Sequence, residues 1–399
     1  MDLSKPQQRY PISFTGTGAQ FFKIWIVNIL LTIVTLYIYS AWAKVRTKRY
    51  FHGNTVLDGS SFDYHASPLQ ILLSRLVAAL LFVAVTAGGI VNPLVPSIAT
   101  VVLFLVLPWA IWRSTKFNMR MTSYRNVRFD FDGALWPLYL YQMVLPLIMY
   151  AVSALAFYLW HHWELSPQVL VTLVVVVLAL NIILVAFTHE KLSSYFLDGY
   201  RYGKSRFSSE LSLGSFFKIY GMATLLAVVT LALLLISLSM FYWPEGVDVL
   251  DELKHIDNTS DGEAPEDVGD AALFFMFDVI PALFLYLAIV GYYVAALVRA
   301  RVRNHVFANT LLDKRVSFVS DIKTTSLWWV MFSNLLLILV SLGLAIPFAQ
   351  VRIARLLARH STVVSNEPLD DFVGEKREQV SAFGDELGDV FDLDMDVGI

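Results

Sequence analysis

The chain has 399 residues, 57% of them apolar or aromatic and only 16% charged, with a mean hydropathy of +0.60. Soluble domains run about 45–50% apolar and about 25% charged, which argues against an ordinary soluble enzyme. The lack of cysteine excludes disulfides, thiolate metal sites and cysteine nucleophiles, and the net charge of −3 conceals strong segregation.

Residues 245–270 hold 10 of the 33 acids and the tail from Glu367 holds 11 more. The remainder has 12 acids against 27 of the 30 Lys and Arg, a body near +15 with two acidic appendages.

In chain order, residues 1–20 form an N-terminal polar segment. Eight stretches then reach the length and hydropathy of a bilayer span, near 21–43, 69–91, 97–112, 136–160, 167–188, 214–243, 272–298 and 325–350. The first lacks a short h-region with a small-residue cleavage site, so a signal peptide is not expected. The intervening segments 44–68, 113–135, 189–213 and 299–324 are rich in Lys and Arg. The alternate ones are uncharged or acidic, as in 244–271. The positive-inside bias puts the basic set in the cytoplasm and the acidic loop outside, consistently for the six central spans.

The outer two stretches break simple counting. A single crossing of 325–350 would put Arg352, Arg355 and Arg359 outside. Two readings stand: re-entrant helical hairpins bent near Thr35-Leu36-Tyr37 and Ser341-Leu342-Gly343, or single ordinary spans. A tail at 364–399 is expected to be acidic and mostly disordered, with Val380, Phe383, Leu387 and Val390 at amphipathic-helix spacing.

Internal similarity runs through the chain. Trp42-Ala43-x-x-Arg46 recurs as Trp109-Ala110-x-x-Arg113 and as Phe348-Ala349-x-x-Arg352. A shift of 306 also superimposes Asn28 on Asn334 and Arg49 on Arg355. After each basic helix end comes a β-prone stretch with a turn signal, most clearly Asp58-Gly59 and Gly203-Lys204. Four cytoplasmic β-hairpins are therefore expected, joined into a small sheet or ring, because a solitary hairpin is marginal in water.

The fold class expected from these features is an all-α polytopic membrane protein of six to eight membrane helices with internal repeats. Small cytoplasmic β-hairpins sit between helix pairs, and the membrane domain spans 21–363.

The run Phe21-Phe22-Lys23-Ile24-Trp25-Ile26-Val27-Asn28, then Ser40-Ala41-Trp42-Ala43-Lys44-Val45-Arg46, then Gly53-Asn54-Thr55-x-Leu57-Asp58-Gly59, resembles the YjgN-like family of bacterial inner-membrane proteins, as does the tail from Gly384. The resemblance implies a multi-pass protein of the bacterial inner membrane and supplies no catalytic residues. Where the family has Gly after Thr-Leu and Pro before Trp, this chain has Tyr37 and Ala41.

Intramembrane polar residues are functional candidates because their desolvation is costly. Asn28, Thr32, Thr35, Asn334, Ser341 and Asp278 are the candidate lining of a pathway for a small solute or ion. Arg46, Arg113, Arg301 and Arg352 are candidate contacts to lipid phosphates. His161-His162 lacks a visible third ligand, and the calcium-loop-like run at Asp257 has Val268 where a Glu is needed. No P-loop, dinucleotide, metalloprotease or nucleophile-elbow motif occurs, so no catalytic site, cofactor or metal is expected. The expected partners are the bilayer with its anionic headgroups, a second copy of the chain, and a cytoplasmic partner of the acidic tail. Nucleic acid is not expected. A transporter or channel is weakly favoured, and a non-catalytic scaffold or lipid-interacting protein is the alternative.

Overall fold

The computed structural model describes residues 7–163, 166–256 and 275–376, apart from the side chains of 238–256, Phe275 and Asp278. Among the described residues, six helices are long and apolar enough to cross a bilayer: α3 (Pro68–Val91), α4 (Leu94–Arg120), α5 (Leu135–His162), α6 (Pro167–Gly199), α7 (Leu213–Ile256) and α8 (Ile280–Ala308). α7 continues helically into the acidic segment as far as Ile256, and residues 257–274 lie outside the described residues.

The two flanking stretches each fold as a helix–turn–helix: α1 (Gly18–Val34) with α2 (Ser40–Gly53), and α9 (Thr324–Val340) with α10 (Ile346–Arg359). Thr17 and Gln20 start α1 with a reciprocal capping box. Each chain reversal returns to its origin. The Thr15 amide donates to the Asn54 carbonyl at 2.9 Å, and the Asp321 amide reaches the His360 carbonyl at 3.4 Å. At 17 and 14 residues these helices run about 20–25 Å, short of the roughly 30 Å hydrocarbon core.

Below the helices, ten strands close into one antiparallel barrel, β1 (Gln8–Phe14), β2 (Thr55–Leu57), β3 (Ser60–Tyr64), β4 (Thr122–Tyr124), β5 (Val127–Phe131), β6 (Tyr200–Tyr202), β7 (Ser205–Ser209), β8 (Thr310–Leu312), β9 (Val316–Ser320) and β10 (Ser361–Ser365). The expected all-α class is thereby overturned. Neighbouring hairpins pair edge to edge, Phe62 opposite Tyr124 and Phe129 opposite Tyr202. β1 closes the ring by pairing with β10 on one side and β2 on the other. Closure satisfies the edge groups that solitary hairpins would leave open, so strands of three and five residues suffice.

The connectivity is five successive strand–helix–helix–strand units, with the helix pairs on one side of the barrel and the hairpin turns on the other. The ten helices pack as a closed ring in chain order, α10 meeting α1 at the seam. The turns are tight. Asp58-Gly59, Arg125-Asn126 and Asp313-Lys314 all take positive φ, as two-residue and bulged hairpin loops of matching twist require.

The barrel is filled, not hollow. Leu57, Tyr124, Val127, Tyr202, Leu312, Val316 and Val363 form its buried core, and the partly buried Phe62, Phe129, Phe207 and Phe318 pack against it. The Tyr124 hydroxyl donates to the Leu57 carbonyl at 2.8 Å and the Tyr202 hydroxyl to the Tyr124 carbonyl at 3.1 Å. Burial pushes the Tyr124 hydroxyl up to about 12.

The opening of the acidic tail, helical over 369–376, lies across the hairpin-turn end with Leu369, Phe372 and Val373 in the same core. The amphipathic spacing at Val380–Val390 lies outside the described residues.

Candidate functional site

The second helix of each unit descends into a short strand, and counting back from that strand aligns the five units. Nine residues before β2, β4, β6, β8 and β10 stand Arg46, Arg113, Lys191, Arg301 and Arg352. At 1.5 Å per residue this is one level, about 13–14 Å above the barrel. Arg46, Arg113 and Arg301 are exposed, and Lys191 and Arg352 partly so. The sequence candidates Arg46, Arg113, Arg301 and Arg352 therefore share a height and an end of the molecule. Lys191 completes the set, beside the buried carboxylate of Glu190 at 3.1 Å.

Of the candidate pathway residues, Thr35 and Ser341 clip the bends of their hairpins. The Thr35 hydroxyl accepts the Tyr39 amide at 2.9 Å and donates to the Leu31 carbonyl. Ser341 accepts the Ala345 amide at 2.9 Å and donates to the Ile338 carbonyl. Thr32 returns its hydroxyl to the Asn28 carbonyl at 2.6 Å. Asn334, buried, donates to the Ala349 carbonyl and accepts from Arg352 Nη1 at 2.8 Å, while Arg352 Nη2 holds Ser333. Asn28 is equally buried, yet its Oδ1 has no partner, and Arg46 turns to the Tyr39 hydroxyl instead. The Asp278 side chain lies outside the described residues.

These residues do not converge on one cavity. Asn28 and Thr32 line a 480 Å³ cavity between α1 and α2, together with Lys44, Thr47 and Lys48. Ser341 lines another of 670 Å³ at the seam of α1, α9 and α10, with Arg352 and Arg355. Thr35 and Asn334 line neither.

Residues outside the candidate list line a third cavity of 510 Å³. His189 of α6, Tyr220 of α7, Arg299 and Arg303 of α8, Met331 of α9 and Leu357 of α10 all border it. Helices are about 10 Å across, so a cavity this small touches five successive ring members only from the concave side. It lies inside the ring. Arg303 Nη2 donates to Ser361 Oγ at 2.8 Å, its guanidinium lies over the Phe307 ring at 4.2 Å, and its buried Nε has no partner. Among the described residues, the Arg299 guanidinium reaches only the Met331 sulfur, at 3.9 Å. In the sequence these arginines are indistinct, because they sit among the charges of an ordinary basic helix end. Their register, eleven and seven residues before β8, is the signal that separates them.

At the far end of the barrel, ion pairs fasten the tail. Arg125 binds Asp58 at 2.9 Å and also Asp370. Arg315 binds Glu375 at 2.8 Å, and the buried Lys376 binds Asp313 at 2.8 Å. The hydrogen bond from Lys376 holds the Asp313 and Glu375 carboxyls below their usual range, and Arg315 lowers Glu375 further.

The family model described as "Bacterial protein of unknown function (DUF898)" matches residues 9–390. The inner membrane protein YjgN of Salmonella typhimurium LT2 is 24% identical over 369 residues, covering 90% of each chain. YjgN of Escherichia coli O157:H7 is also 24% identical over 369 residues, covering 90% of this chain and 89% of its own. YjgN of Escherichia coli K12 is 32% identical over 137 residues, 34% of each. No solved structure matches the chain. With six bilayer-length apolar helices and relatives named for the inner membrane, the chain is a multi-pass inner-membrane protein and belongs to the DUF898 family.

Proposed function

We propose that this protein is a non-catalytic, lipid-interacting membrane protein whose barrel hangs in the cytoplasm beneath a ring of helices. The carrying observation is the recurrence of a cation nine residues before the descending strand in all five units, at Arg46, Arg113, Lys191, Arg301 and Arg352. Cations at one height suit the phosphate level of an anionic leaflet, where each is worth about 1 kcal/mol. The same recurrence supports reading the five units as copies of one ancestral repeat. Sidedness follows from the positive-inside bias of the barrel end.

The native chain has no cysteine, so single-cysteine labelling reads sidedness cleanly. Ser208→Cys on the barrel is expected to react with an impermeant maleimide only after lysis, and labelling in intact cells would refute the orientation. For the lipid role, phosphatidylglycerol is expected to raise the melting temperature of the detergent-purified protein above its value in phosphatidylcholine. Replacing all five cations by Gln lowers that increment. An increment that survives intact overturns the proposal.

Transport of a small solute is the second reading, favoured by the cationic cavity inside the ring. Flux in proteoliposomes that responds to Asn28→Leu and Asn334→Leu would restore it to first place.

A further inference from the structure

The cavity inside the ring has a wall of unusual composition. Arg299 and Arg303 stand one turn apart on α8, where like charges four residues apart repel by about 0.2–0.5 kcal/mol. No carboxylate lies within ion-pair distance of either among the described residues. Around them the lining is apolar, with Val302, Leu327, Met331 and Leu357, and His189 and Tyr220 face the same space with rings 5.1 Å apart. Two unneutralised guanidiniums in a concave, mostly apolar site want an anion. Their planar forks match the paired oxygens of a phosphate. A volume of 510 Å³ falls in the range of small-ligand sites, roughly 300–1,000 Å³.

The pattern recurs. Lys44 and Lys48 occupy in the first unit the positions that Arg299 and Arg303 occupy in the fourth, eleven and seven residues before the strand, and they too line a cavity. His189 holds the eleventh position of the third unit and faces Arg299 across the cavity. Arg301, two residues from each arginine, lies about 200° round the helix and belongs to the level of cations nine residues before the strand.

We infer that the inner cavity is a binding site for a phosphate-bearing anion, held by Arg299 and Arg303, its apolar wall suited to an attached acyl chain. The site is distinct from the outer cations, of which only Arg301 shares α8, about 200° round the helix from each of the two arginines. Delipidated protein in mild detergent, titrated calorimetrically with short-chain phosphatidylglycerol, short-chain phosphatidylcholine and inorganic phosphate, tests it.

The expected result is saturable binding of phosphatidylglycerol, weakened at least tenfold by Arg299→Gln and by Arg303→Gln and less than twofold by Arg128→Gln, a change at an exposed position of the barrel. Equal affinity for inorganic phosphate, with the same dependence on the two arginines, sustains the site and assigns it to the free anion. Since Arg303 also holds Ser361, Arg303→Gln is paired with Arg303→Lys, which keeps the charge and loses the fork. Among the described residues, Arg299→Gln disturbs no polar partner other than the Met331 sulfur. Binding indifferent to both inner substitutions, or as sensitive to Arg128→Gln, overturns the inference. Loss of the outer-cation effect on melting leaves it standing.

Discussion

The first and last helical hairpins are built on one plan and secured in different ways. In the last, Asn334 ties α9 to α10 through Arg352, and the bend at Leu342-Gly343 places glycine at φ +91. In the first, Asn28 Oδ1 is unpaired, Arg46 goes to Tyr39, and the bend takes Leu36 and Tyr37 through positive φ without a glycine. The left-handed region costs a non-glycine residue roughly 1–2 kcal/mol. Arg75 of α3 offsets part of that by bonding Ser40 and lying 5.6 Å over the Tyr37 ring. Identical polar residues at equivalent positions can thus be a clamp in one copy and an unsatisfied group in the other.

The largest effect should come from breaking the clamp. Asn334→Leu is expected to cost about 2 kcal/mol, above the roughly 0.6 kcal/mol typical between membrane helices, because it strands the Arg352 guanidinium. Denaturant unfolding in detergent reads this. The same change at Asn28 removes a buried acceptor that has no partner, so it should leave stability unchanged or raise it slightly. Equal losses at the two sites would end the distinction.

Next in size is the bend. Gly343→Ala forces a Cβ into φ +91 and should cost about 1–2 kcal/mol. Tyr37→Gly relieves similar strain and gives up a cation–π contact worth about 0.5–1 kcal/mol, for a net change near zero. Melting temperatures of the two variants separate these outcomes.

The smallest effect at neutral pH concerns the tail fastened after the last unit, which the first unit lacks. Asp313 and Glu375 titrate below their ordinary values when the tail is docked, so their contribution is complete above the ordinary carboxylate range, about pH 4, and is lost as pH falls through the lowered values. Lys376 is raised: burial opposes its charge, and the bonds to Asp313 and Glu375 outweigh that. Its contribution is complete below its ordinary value near 10.5 and fades as pH rises past the raised one. Hydrogen exchange over 369–376 should therefore be slow near pH 7 and accelerate, relative to the barrel core, near pH 3. Uniform protection across that range would contradict this account of the latch.

The six spans and the basic ends on one side were legible in the amino-acid sequence, because they depend on local hydropathy and on charge near helix ends, whereas the bends at Thr35 and Ser341 stood there as one of two open readings. The Asp58-Gly59 and Gly203-Lys204 hairpins were legible from short-range turn chemistry, and the turn at Arg125-Asn126 was a weaker signal, with no glycine and with Arg125 bonded to Ser60 and Asp58 of the adjacent hairpin. What only the tertiary structure decided was closure. β1 and β10 pair residues more than 350 positions apart, and no local pattern in Gln8–Phe14 or Ser361–Ser365 announces a partner at that distance. The inner arginines became distinct for the same reason: a helix sequence gives the angle between Arg299 and Arg301, and only the ring of neighbours says which of them faces in.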